Sequence, residues 1–386
     1  MKVVIAPDSF KGSLTAREAA VAIVRGVKSA VPLAETSLIP MADGGEGTLQ
    51  TLVDATGGST THVQVKGPLG NQIDAKYGIL GDNQTCIIEM ASASGLVLVP
   101  DGKLNPLVTT TFGTGELIKH ALDKGYRKFI LAIGGSATND GGAGMLQALG
   151  LRLLDEKGNE VGFGGGCLKD IDCIDLHAFD ERIKESSFLI ASDVENPLIG
   201  PNGASYIFGP QKGASQKDVA FLDDQLTHWA DKIEKKIGIK IHDNPGAGAA
   251  GGIGGAFQAF FPSKMERGVD VVIHHTQLQE KLADADLVIT GEGQVDSQTA
   301  SGKTPMGVAQ TAQYLGVPTI VMAGSVGEGI EVLYEYGVVS VHSIVNRPMN
   351  LETAIKQASM LLESSTEQVV RSYFHHHVPK LQGGLV

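Results

Sequence analysis

The chain has 386 residues, 43 of them acidic and 31 basic, for a net charge of -12, with both signs spread along its length. That length points to two domains with a large buried core, and the charge argues against nucleic acid or an anionic membrane as partner. Three cysteines, Cys86, Cys167 and Cys173, form no C-x-x-C pair and suggest buried thiols in a reducing compartment. With no signal-like start and no apolar run of membrane-spanning length, the expected location is the cytoplasm. Glycine is in excess, 50 residues, roughly 13% against a usual level of about 7%. The glycines cluster in short polar segments between apolar runs, as in loops that let a ligand approach the backbone.

The first element is an apolar run, Val3 to Ala6, that breaks at Pro7 and is followed at once by Asp8, Ser9, Lys11 and Gly12. Thr15 with Glu18 has the capping-box pattern, and Ala16 to Val27 is apolar at helical spacing, so the order is strand, polar loop, helix. Such a loop, at the carboxyl end of a buried strand, is where open α/β sheets bind ligands. Asp8 and Ser9 are therefore candidate substrate contacts and Lys11 a candidate cation for the negative end of a ligand. The bland alternative is a turn with a solvated lysine.

A second strand-like run, 34–39, leads into "PMADGGEGTL" at 40–49. Asp43 is a candidate base, and the amides of Gly44 and Gly45 a candidate anion nest at a helix N-terminus, unless the segment is an ordinary glycine turn. Between 59 and 90 the pattern changes to a β-meander with turns at 68–71 and 81–83, which reads as a domain crossover. The run 127–133 opens into "IGGSATNDGGAGMLQALG", whose Gly134, Gly135, Ser136, Thr138, Asn139 and Asp140 form a loop suited to cradling the phosphate chain of a nucleotide. Asp193 follows the run 186–192 directly and is either a cap or a base or metal ligand.

Two familiar patterns are set aside. "GAGAAG" at 246–251 satisfies G-x-G-x-x-G, but the acids that follow it, Glu266 and Asp270, precede the next strand instead of ending it. "SGKT" at 301–304 copies the end of a P-loop, yet Ser297 stands where the first glycine belongs. The segment 286–309 nevertheless carries Glu292, Asp296, Ser301, Lys303 and Thr304 between a buried strand and a helix. Glu292 and Asp296 suit Mg²⁺, and Lys303 suits an anionic substrate, although a lysine beside two acids can be a simple surface pair.

Strands 286–290, 317–323 and 337–342, separated by helices 304–316 and 328–335, restore the rhythm of the N-terminus. The expected architecture is α/β with two α/β domains: a discontinuous, Rossmann-like one from 1–64 and 285–386, and an inserted one from 65–284, with the active site in the interdomain cleft. The histidine run in the tail "SYFHHHVPKLQGGLV" reads as a surface end.

Six blocks, "APDSFKGSLTA", "PMADGGEGT", "IGGSATNDGGAGM", "SDVENPL" with "GPNGA" and "FGPQKGA", "GAGAAGGIGGA" and "TGEGQVDSQTASGKTP", occur in order over residues 6–309. In them the chain resembles the type-1 glycerate kinase family, bacterial enzymes that form 2-phosphoglycerate. The resemblance implies ATP- and Mg²⁺-dependent phosphorylation of D-glycerate in glyoxylate or glucarate catabolism. It also implies one discontinuous and one inserted α/β domain. The residue types fit separately. Phosphoryl transfer needs a base for the hydroxyl, here Asp193 or Asp43, cations such as Lys11 and Lys303, and backbone amides around the phosphates. The competing readings are a hydroxy-acid-binding regulatory or carrier protein and a nicotinamide-dependent dehydrogenase using "GAGAAG". A homo-oligomer is compatible with all of them.

Overall fold

The structure is a computed structural model and describes residues 1–299 and 302–375. Ser301 and, in the tail, His376 and His377 lie outside the described residues. Contacts divide the chain into two compact units, Met1–Asp43 with the chain from Val269 on, and Gly44–Gly268.

The first unit is built on five parallel strands, numbered here in chain order: β1 (Lys2–Ile5), β2 (Glu35–Leu38), β11 (Leu287–Val295), β12 (Thr319–Val326) and β13 (Val338–Ser343). Their spatial order is β13-β12-β11-β1-β2. Counted within the unit this is 2-1-3-4-5, the flavodoxin-like order among doubly wound sheets, and it reverses between β1 and β11. Val3, Val4, Ile5 and Ala6 are all 0% exposed, as befits a central parallel strand covered on both faces. After the polar turn comes the helix Ala16–Ala30, opened by the expected capping box: Thr15 Oγ1 accepts from the Glu18 N–H at 3.2 Å, and Glu18 Oε2 accepts from the Thr15 N–H at 2.9 Å. This helix packs on Leu351–Tyr373 so closely that a Cβ on Gly26 would lie 2.4 Å from the Glu363 carbonyl oxygen. The helix expected at 328–335 is a 3₁₀ segment, Ile330–Tyr336, enclosed by Gly329 and Gly337, both at positive φ.

The second unit has a six-stranded sheet in the order β10-β9-β6-β5-β4-β3. Its strands are β3 (Ser59–Lys66), β4 (Gln72–Ile79), β5 (Thr85–Glu89), β6 (Lys128–Ala132), β9 (Ser187–Ala191) and β10 (Ser263–Glu266), while β7 (Arg152–Leu154) and β8 (Cys173–Asp175) form a separate hairpin. The meander β3-β4-β5 is antiparallel, and β5, β6, β9 and β10 are parallel. The unit boundaries differ from the expected 64/65 and 284/285. Full-length pairing of β3 with β4, from Ser59↔Ile79 to Lys66↔Gln72, keeps the whole meander in the inserted unit. At the other end, Val269 packs so tightly on Gly307 that a Cβ there would lie 2.5 Å from its Cγ2, which ties residues after 268 to the first unit.

"GAGAAG" has no strand before it. It follows the helix Gln216–Ile237 and runs into the start of the helical segment Ala249–Phe260, which is kinked there: Ala250, Gly251 and Gly252 all have positive φ. A Cβ on Gly251 would come within 2.0 Å of the Thr138 carbonyl oxygen, so this glycine permits close packing of two backbone segments inside the unit.

Candidate active site

In the first unit, the carboxyl edge of the sheet gathers acids where the strand order reverses. The Asp8 N–H donates to the Gly291 carbonyl and the Met41 N–H to the Pro7 carbonyl, at 2.8 and 2.9 Å. These bonds align the chain after β1 with β11 on one side and with the segment leading to Asp43 on the other. Asp8 Oδ1 accepts from the Ser9 N–H at 2.6 Å, and its Oδ2 accepts from the buried Thr304 hydroxyl. Glu292, inside a β11 that continues to Val295 and so beyond the expected end at 290, accepts from the Thr299 hydroxyl at 2.8 Å. Lys303 Nζ lies 3.9 Å from Glu292 Oε2.

Burial raises the Asp8 carboxyl to about 7, with the Asp43 and Glu292 carboxylates adding to the shift against the hydrogen bonds from Thr304 and Ser9. Burial likewise raises Glu292 to about 7, opposed by Lys303 and Thr299 and reinforced by Asp43 and Asp296. The structure therefore brings Asp8, Asp43, Glu292 and Lys303 together. Asp296 is engaged in its own turn: it accepts from the Gln298 N–H at 2.9 Å and Gln294 Nε2 at 2.8 Å, and the bond from Gln298 leads in lowering its pKa. Lys11 is exposed in the turn after Phe10, and its backbone nitrogen would lie 3.2 Å from a Cβ on Gly293.

This oxygen-rich, mutually repelling set has the donor chemistry of a hard divalent cation. Mg²⁺ takes one or two carboxylates and completes its shell with water and phosphate oxygens. Among the described residues no three His, Cys, Asp or Glu side chains converge on one metal position.

In the second unit the carboxyl edge is built of glycine turns. Gly44, at φ +91°, sits where a Cβ would lie 3.0 Å from the Ala191 carbonyl oxygen, and a Cβ on Gly134 would lie 2.8 Å from the Gly45 Cα. The turns after β6 and β9 and the 44–47 turn are thereby stacked backbone on backbone. Asp193, exposed two residues past β9, accepts from the Gly268 N–H at 3.0 Å. Further along, Glu89, ending β5, accepts from the Leu49 N–H at 2.7 Å in the first turn of the helix Thr48–Thr56, so a protein carboxylate already sits at that helix N-terminus. Burial lifts Glu89 to about 7 in spite of that bond.

The loop 134–140 is also arranged differently from expectation. Gly134 and Gly135 reach the surface, whereas Ser136, Thr138, Asn139 and Asp140 are buried, with Thr138 Oγ1 and Asn139 Oδ1 lacking a hydrogen-bond partner. Asp140 accepts from the Thr111 N–H and hydroxyl at 2.8 and 2.9 Å and from the Gly142 N–H at 3.2 Å, while Asn139 donates to Ser205 Oγ at 2.9 Å. Glu89 and Lys212 are absent from the sequence-derived candidates. An acid closing the run "TCIIE" is the same signal that singled out Asp193, and Lys212 sits between glycines in "FGPQKGA".

Parallel strands whose carboxyl ends carry acids, a lysine and glycine turns define an α/β enzyme of the doubly wound class. A profile of the Glycerate kinase family matches residues 3–374. The chain belongs to that family. It is 51% identical over 367 residues to a glycerate kinase of Halalkalibacterium halodurans, covering 95% of this chain and 97% of the relative. It is 49% identical to the glycerate 2-kinase of Escherichia coli, over 93% and 94% of the two chains. A crystal structure from Salmonella typhimurium LT2, provisionally named glycerate kinase 2, superposes with a TM-score of 0.86 at 46% identity, covering 97% of this chain and 99% of the other. Among the described residues no helix is long and apolar enough to cross a membrane.

Proposed function

We propose that the protein transfers the γ-phosphoryl group of ATP to the 2-hydroxyl of D-glycerate, with Mg²⁺ as cofactor. The observation that carries this reading is the set Asp8, Asp43, Glu292 and Lys303 at the reversal point of the first sheet, in a chain about half identical to named glycerate kinases. In the reaction the glycerate oxygen bonds to the γ-phosphorus as the bond to the bridging oxygen of ADP breaks, and the hydroxyl proton passes to a carboxylate. Asp43 is our first choice of base, because it stands close enough to Asp8 and Glu292 for its charge to act on both carboxyls at the reversal point. Asp193 is the alternative.

Lys11 and Lys303 would bind the carboxylate of glycerate and the transferring phosphoryl oxygens. Asp8 and Ser9 would orient the substrate hydroxyls. Glu292 would hold Mg²⁺ with Asp43 at its side, Asp296 adding charge from its turn; when bound, the ion neutralises phosphate charge. Gly134 and Gly135, the exposed part of their loop, are the proposed backbone contacts to the nucleotide, and Gly44 and Gly45 give the room for close approach. The test is ADP release by purified protein supplied with ATP, Mg²⁺ and D-glycerate. Release that depends on glycerate supports the reading; none, or release indifferent to glycerate, contradicts it.

A further inference from the structure

The turn that ends β6 is tied down on two flanks. On one, backbone bonds run from the Leu96 N–H to the Gly135 carbonyl and from the Ala137 N–H to the Ser94 carbonyl, both at 2.9 Å. On the other flank stands Lys212, 1% exposed, whose Nζ donates to Ser136 Oγ at 2.8 Å and to the Thr138 carbonyl at 2.7 Å. Its own backbone is fixed in turn. Lys212 closes the 3₁₀ turn Pro210–Lys212, and the next residue, Gly213, has φ +93° in a place where a Cβ would lie 2.4 Å from the Leu104 carbonyl oxygen.

An amine at this depth is unfavourable unless its donors are needed, since a methionine would fill the same space without desolvation. Burial draws the Lys212 pKa down to about 7, only partly offset by Asp140. The neutral amine has two hydrogens, and the loop offers it two acceptors. Within residues 134–140, only Gly134 and Gly135 lie on the far side of these bonds with surface exposed.

We infer that Lys212 is a positioning residue for nucleotide: by clamping Ser136 and Thr138 it holds the Gly134–Gly135 turn in the shape that receives a phosphate of ATP. The inference rests on the kinase reading above for the identity of the ligand, and it assigns to a side chain that touches no ligand the control of one substrate's affinity.

The test uses the full chain with Mg²⁺ and two variants, Lys212→Met and Ser136→Ala. ATP binding is read by calorimetry, and KM for ATP and for D-glycerate are read separately. Lys212→Met is expected to weaken ATP binding about tenfold and to raise KM for ATP in step, with KM for glycerate within twofold; Ser136→Ala should weaken ATP binding about threefold. A folded Lys212→Met protein that binds ATP like its parent overturns the inference, as does one in which both KM values rise together. Should Lys212→Met fail to fold, an unchanged ATP affinity in Ser136→Ala overturns it and a weakened one supports it. A parent that binds ATP but leaves glycerate unphosphorylated refutes the kinase reading while the calorimetry still decides the role of Lys212; a parent that binds no ATP overturns both.

Discussion

Asp8 and Glu292 are carboxyls held where their charged forms are disfavoured, and the physical consequence reaches stability as well as chemistry. Each has a folded pKa of about 7, above the ordinary 3.8 and 4.5, so between those values and 7 the folded chain binds more protons than the unfolded one. Stability therefore falls as pH rises through that window, and the penalty is complete above 7. Asp43 adds to both shifts, so in metal-free buffer Asp43→Asn should raise Tm at pH 8 and leave it nearly unchanged at pH 4.5. The same variant should lower kcat/KM by roughly 10²-fold or more, the scale of losing a positioned base. A fall in Tm at pH 8 would show that these acids do not repel one another. Lys11 is exposed in its turn, and Lys11→Ala should lower kcat/KM by roughly 10²-fold with the Tm unmoved. Kinetics like the parent's would make it a surface charge.

The helix Ala16–Ala30 was legible because its start is a local signal: Thr15 and Glu18 satisfy each other's backbone groups over three residues. Thr15→Ala should cost about 1 kcal/mol of stability, seen as a lower denaturant midpoint, while kinase activity at low temperature is kept. No loss of stability would mean that the cap is replaced by water. Strands β1, β6 and β9 were legible for a related reason, since parallel strands covered on both faces read as unbroken apolar runs. The far half of β11, "GEGQV", was not. Its glycines bring the backbones of Met322 and Lys11 close, information that resides in the neighbours. Glu89 was missed for the same reason, because nothing local tells that an acid ending β5 will meet the first turn of a helix forty residues earlier. In the 134–140 loop the side chains of Ser136, Thr138, Asn139 and Asp140 turn inward, a burial that nothing local in a polar, glycine-rich stretch announces.

At the scale of the molecule, α/β character and the return of the chain end to the N-terminal sheet follow from the rhythm of apolar runs, but the dividing points depend on pairing. The meander belongs with the inserted unit because β3 pairs with β4 and β4 with β5, a choice that composition between residues 59 and 90 leaves open. The functional reading at this scale is that an acidic α/β protein of the Glycerate kinase family phosphorylates one particular hydroxyl. Proton-coupled phosphorus NMR of the product formed from ATP and D-glycerate tests this most directly. Phosphate on the 2-oxygen is coupled to the single proton on that carbon, so the account predicts a new doublet. A triplet, from phosphate beside the two protons of the 3-carbon, would contradict the assigned position, and no new phosphate ester signal at all would contradict the kinase.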